Sequence, residues 1–221
     1  MACRSGTILG GHSVRKLSTL GLCIATLAAM AQPAFAQSVT LFPAQVSAAN
    51  IEALFGATGT DEVTDIPLPG ITGAAHLQSR VIRAAAGSRA EGRFAYQYRV
   101  DLTSAVAFID FSCLLNLTVK FGPVEKLPYA PGVILRDVYE IQQGVPANQV
   151  GFSSAVQTGE FVTFTFQRPI CAGDGITPGA TSFAFGLASR DAPDRGVTVQ
   201  MDALGIDDLR VKSSGPIGPL H

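Results

Sequence analysis

The residues of this chain that could do chemistry are few and widely spaced. Three acidic clusters come first: Asp61-Glu62 with Asp65, Asp191 with Asp194, and Asp207-Asp208. A pair of carboxylates can hydrolyse a glycoside, one giving a proton while the other attacks or activates water. Grouped with loop carbonyls, carboxylates can also hold calcium, which takes about six to eight oxygen ligands. The calcium candidates are Asp61, Glu62, Asp65, Asp191 and Asp194. Their spacing is not that of an EF-hand or of a glycine-rich calcium repeat. Each cluster lies in turn-rich sequence, where Asp is favoured because its side chain bonds nearby backbone. Solvated turn acids are therefore the competing reading. Sugar-processing clefts usually offer aromatic platforms as well. Here there is no Trp, and Tyr96 and Tyr98 fall on a face assigned to the core.

Acyl-transfer chemistry needs a histidine placed to take a serine or cysteine proton. Beyond the N-terminal region only His76 and His221 remain, and there is no G-x-S-x-G elbow. His76 reads as a strand-edge residue and His221 as the end of a loose tail. Zinc needs three or four His, Cys or acidic ligands, which this inventory does not supply. Cys113 and Cys171 lie in no C-x-x-C pair. In an exported chain they have one intramolecular pairing, a structural disulfide. Closing that loop stabilises the fold by roughly 4 kcal/mol on the chain-entropy model. Asn116-Leu117-Thr118 has the form of a glycosylation sequon but sits mid-strand.

The segments around these residues set their compartment. No acidic residue precedes Glu52, whereas Arg4, Arg15 and Lys16 precede an uncharged apolar run from Leu17 to Ala31. Pro33 and the small-residue pattern Ala34-Phe35-Ala36 follow. That order of basic, apolar and A-x-A segments is a secretory signal peptide over 1–36, cut after Ala36. The apolar run falls short of the roughly 20 residues of a spanning helix. Cys23 is a poor lipidation site, since Leu22 is large and the apolar run continues past it. The expected domain covers 37–212. Residues 213–221, with two prolines and two glycines, read as a flexible tail without a membrane anchor. Removing three of 16 basic residues leaves 13 against 17 acidic ones, a balance of −4. Basic residues form no run, which disfavours a nucleic-acid partner.

Most of the remaining chain alternates apolar and polar residues, the period of a half-buried strand. Phe94, Tyr96, Tyr98, Val100 and Leu102 share one face, with Arg93, Gln97, Arg99 and Asp101 opposite. Ile109, Phe111, Cys113, Leu115, Leu117, Val119 and Phe121 share another, with Leu114 on the polar side. That alternation predicts Cys113 to point into the core. Further strands are expected at Val162–Phe166, Phe183–Leu187 and Val197–Met201, and shorter ones at Leu77–Ala85, Gly132–Tyr139 and Leu209–Lys212. Only Ala48 to Phe55 reads as helix, with Ile51, Leu54 and Phe55 on one side. About eight strands with no βαβ rhythm predict an all-β, antiparallel two-sheet sandwich, jelly-roll-like or Ig-like, with one short N-terminal helix.

Three segments carry a family likeness: Phe94-Ala95-Tyr96-Gln97-Tyr98-Arg99-Val100, Phe161-Val162-Thr163-Phe164-Thr165-Phe166, and Ile176 to Phe185 through Pro178-Gly179. Through them the stretch from Tyr96 to Ser189 resembles bacterial exported β-sandwich proteins, including the PEP-CTERM-like group sorted by a C-terminal anchor beginning Pro-Glu-Pro. The resemblance implies an exported sandwich and transfers no functional residue. The expected function is a non-enzymatic exported protein, secreted or periplasmic, that binds a protein or glycan ligand or assembles in the envelope, with no catalytic residue or cofactor. The alternative is a carbohydrate-binding module or weak glycan hydrolase using the acidic clusters, with or without calcium.

Overall fold

Alternation along the chain becomes two facing layers in the computed structural model, which describes residues 36–108, 112–132, 134–142 and 147–216. The signal-peptide reading over 1–36 and the strand positions 109–111 lie, apart from Ala36, outside the described residues. The first sheet runs β1 (Ser38–Leu41), β11 (Phe152–Thr158), β12 (Phe161–Cys171), β8 (Cys113–Lys120), β15 (Pro193–Ala203) and β16 (Ile206–Pro216) in spatial order. The second is built on β6 (Phe94–Asp101). On one side of β6 lie β5 (His76–Arg83) and then β3 (Thr60–Asp65). On the other lie β14 (Ala184–Ser189), β9 (Val138–Ile141) and β2 (Pro43–Val46). Short β13 (Thr181–Ser182) extends this side and pairs β10 (Gln149–Val150). A small ribbon joins β4 (Ile71–Thr72) to β7 (Val106–Ala107). Pairing is antiparallel except for β2 with β9 and β10 with β13. The expected all-β sandwich with one short helix is what the described residues form, though from sixteen strand segments among them rather than about eight.

The inward faces meet in one apolar core. Tyr96, Tyr98, Val100, Phe185 and Leu187 of the second sheet pack against Leu117, Val119, Val162, Phe164 and Met201 of the first. Phe185 is the hub, with Tyr98, Phe152, Phe164 and Phe166 around it at centroid distances of 4.8 to 6.3 Å. Such pairs add about 0.5–1.5 kcal/mol each beyond area burial. The second sheet curls toward the first. The Thr64 hydroxyl on β3 donates to the Lys212 carbonyl on β16 at 2.9 Å, which ties that side shut.

Helix α1 (Ala48–Phe55) lies on the outer face of the second sheet. The Ser47 hydroxyl caps it by accepting from the Asn50 amide at 3.3 Å. Two turns of helix are unstable alone. Ile51, Leu54 and Phe55 therefore bury against Ile82, Ala95, Ala188 and Tyr139 as a second apolar cluster.

Two expectations need correcting. Leu114, not Leu115, enters the core, while Cys113 is buried as expected and bonded to Cys171. The cause is a bulge. Leu115 has no partner on β15, and on β12 four residues, Phe166 to Pro169, stand between the partners of Asn116 and Leu114. One extra residue turns the pleat over. Beyond the slip Cys171 and Cys113 are directly opposed and joined by the expected disulfide. The second correction concerns the tail. Ser213 pairs with Val197 and Pro216 with Pro193, so the last strand runs four residues past the expected boundary.

One carboxylate faces the interior. Glu140 on β9 lies between Phe185 and Gln45 and is 3 % exposed, and its Oε1 has no hydrogen-bond partner. Burial raises its pKa, against the Gln142 side chain and the Phe152 amide, which pull it down. A raised native pKa means stability that is full in acid and is lost as the pH rises through that value. Glu140→Gln is expected to raise the unfolding free energy at neutral pH and to flatten its fall between acid and neutral pH. Urea titrations at a series of pH values measure both. Phe185→Ala, by the same measurement, is expected to cost about 3–5 kcal/mol.

Candidate ligand-binding site

The outer face of the second sheet is written in the sequence as one short motif used twice. Gln78-Ser79-Arg80 lies on β5 and Gln97-Tyr98-Arg99 on β6. Ser79 and Tyr98 point inward, so the Gln and Arg of each triplet point outward. Antiparallel register sets Gln78 opposite Arg99 and Arg80 opposite Gln97. The result is a two-by-two grid of long planar polar side chains, all half-buried. It floors a cleft of about 570 Å³. Ala48, Ile51 and Glu52 of α1 form one wall, and Asp61, Glu62 and Val63 of β3 the other.

Each guanidinium is braced. Arg80 makes a bidentate pair with Asp61, one bond from Nε to Oδ1 and one from Nη2 to Oδ2 at 2.8 Å. The hydrogen bond from Arg80 holds the Asp61 carboxyl below its ordinary range, against a smaller opposing effect of burial. Arg99 donates through Nε to the Thr181 hydroxyl at 3.1 Å, and that hydroxyl donates to the Val100 carbonyl at 2.8 Å. Gln78 and Gln97 are different. Neither side chain makes a hydrogen bond among the described residues, so two amides stand ready with both donors and acceptors.

The row containing Arg80 continues across the sheet. Asp61 pairs with Arg80, Arg80 with Gln97, Gln97 with Gly186 and Gly186 with Tyr139. Gly186 is required there, because a Cβ on it would lie 2.7 Å from the Tyr139 hydroxyl and against the Tyr96 carbonyl. The tyrosine therefore leans over the glycine toward Gln97. Its ring is fully buried beside Tyr129 at 4.9 Å, yet its hydroxyl has no hydrogen-bond partner. Burial raises the pKa of that phenol, and Arg80 opposes the rise, so it stays protonated.

The acidic clusters expected from sequence do not converge. Asp61 and Glu62 line the cleft, but on a strand rather than in a turn. Asp65 ends that strand with its Oδ1 3.0 Å from His76 Nδ1, close enough for an ion pair but without hydrogen-bond alignment. Asp191 and Asp194 stand at the open end of the β15–β16 hairpin, and Asp207 and Asp208 at its turn. The Asp191 carbonyl accepts from the Tyr96 hydroxyl at 2.7 Å, and Asp194 Oδ1 accepts from the Gly196 amide at 3.0 Å. Asp208 holds Arg210 in a bidentate pair. Among the described residues, no three His, Cys, Asp or Glu side chains gather as a metal site. Among the same residues, no helix is long and apolar enough to cross a membrane.

Comparison with protein-family models, with curated proteins and with solved structures finds no match to this chain. The cleft is therefore read from its own chemistry. The repeated Gln-x-Arg on two successive strands is the signal that points to it. Tyr139 and Gly186 join it only through register.

The Asp61–Arg80 pair is about half exposed at both partners, which limits its worth to under about 1 kcal/mol. Asp61→Asn is expected to lower the neutral-pH unfolding free energy by that small amount. A lowered native pKa means the difference is present above the ordinary carboxylate range and disappears as the pH falls through the lowered value. Denaturant unfolding of both proteins from pH 7 into acid follows it.

Proposed function

We propose that this chain is an exported, non-enzymatic β-sandwich protein of the periplasm or the medium, and that it acts by binding a polar ligand in the Gln-Arg cleft. One observation carries the reading: two half-buried amides, Gln78 and Gln97, are set in register between braced arginines and are not used by the fold. Export rests on the leader-like N-terminus and on Cys113–Cys171, since disulfides persist in oxidising compartments. The carboxylate nearest the grid, Asp61, is held ionised against Arg80. That suits a positioning role, whereas glycoside cleavage needs an acid kept protonated near neutral pH.

The test has two arms. Expression of the full chain in a bacterial host should yield protein outside the cytosol whose first residue is Gln37. Unprocessed chain held in the cytosol defeats the export half. For the cleft, Gln78→Ala/Gln97→Ala should unfold within about 1 kcal/mol of wild type, as outward residues away from special features do. A loss as large as that of a core truncation makes the grid structural and removes the binding reading.

A further inference from the structure

The chemistry of the cleft selects its ligand. We infer that it takes a short neutral saccharide of one or two rings, whose hydroxyls bridge the grid; this rests on the binding reading above. Charge is the first argument. Glu52 and Asp61 balance Arg80 and Arg99, and Arg80 already spends two of its five N–H donors on Asp61. No cationic surplus remains to draw an anion. Asp61 is likewise committed, which blunts the attraction for a cation.

What the grid offers instead is alternation of donor and acceptor. Each glutamine presents a carbonyl and two N–H groups. Cross-strand neighbours lie about 5 Å apart, within reach of two hydroxyls on one sugar ring. The apolar side of such a ring is matched by exposed Val63 and by half-buried Ala48 and Ala184 in the same cleft. The volume of about 570 Å³ lies within the range of small-molecule sites.

The buried Tyr139 hydroxyl is the second, independent observation. It is fully buried, lacks a hydrogen bond, and ends the row that runs through Arg80 and Gln97. A buried hydroxyl without a partner destabilises the empty protein. A bound sugar that holds the Gln97 amide turned toward Tyr139 lets its carbonyl accept a hydrogen bond from the Tyr139 hydroxyl, so the ligand supplies a bond the free protein is missing.

Isothermal titration and amide chemical-shift mapping on the full processed protein test this. The probes are maltose, cellobiose and N,N′-diacetylchitobiose as neutral disaccharides, digalacturonate as the anion and spermidine as the cation. At least one neutral disaccharide should bind saturably and shift resonances on β5 and β6. Gln78→Ala/Gln97→Ala should weaken that binding by roughly tenfold or more. Tyr139→Phe keeps the ring packing and should weaken it severalfold while leaving the protein at least as stable as wild type. Neutral-sugar binding that survives the double substitution unchanged, or a Tyr139→Phe protein of unaltered affinity, overturns the inference. Digalacturonate or spermidine shifting β5 and β6 where the neutral sugars do not also overturns it, but leaves the cleft standing as a binding site. Silence from all five probes at those strands sinks both readings.

Discussion

The second sheet is fixed from within by aromatic packing on Phe185, and everything outside depends on that lock. Side chains alternate strictly along a strand, so a one-residue slip of β6 would send Tyr96 and Tyr98 outward and bring Gln97 and Arg99 into the core. Tyr98 packs on Phe185, and Tyr96 packs edge-on against Phe121 at 5.3 Å. These contacts make the slip prohibitive. The outward grid therefore inherits its register from contacts it does not itself make.

Rows across this sheet then decide what covers it. Ile82, Ala95 and Ala188 form an outward row of small and apolar residues, and α1 lies on it. One step along the strands, the row is Arg80, Gln97 and Gly186, and the helix does not close over it. The boundary between buried face and open cleft is thus the boundary between two chemical compositions two residues apart. Tyr139 straddles it, with its ring under the helix and its hydroxyl leaning toward the polar row.

Much of this was legible in the sequence, for physical reasons. Alternation predicts strands because burial on one face enforces it, and Ile51, Leu54 and Phe55 mark the helix by the same logic at another period. Cys113 and Cys171 were the one available pair. What could not be read was anything set by long-range pairing. The pleat reversal at Leu115 depends on how β12 and β15 meet β8, and nothing local announces it. The acidic clusters looked like turn residues, yet Asp61 proved to be a strand residue that orients Arg80. Gly186 beside Tyr139 is invisible until β14 is placed against β9. Gln97 and Arg99 read as a polar strand face, but their match to Gln78 and Arg80 has meaning only once β5 and β6 are known to be neighbours.

The grid also makes little sense as a contribution to folding. Holding Gln and Arg side chains half-buried restricts rotamers whose full loss costs roughly 1.5–2 kcal/mol each. Gln78 and Gln97 receive no hydrogen bond from the described residues in return, and strands favour β-branched or aromatic residues at such positions. Threonine or valine there would serve the sheet better. A composition that leaves part of a sheet open and holds its amides unbonded works against the stability of the free protein. Sites that work against stability are where function is concentrated. The orphaned Tyr139 hydroxyl in the same row adds to the imbalance.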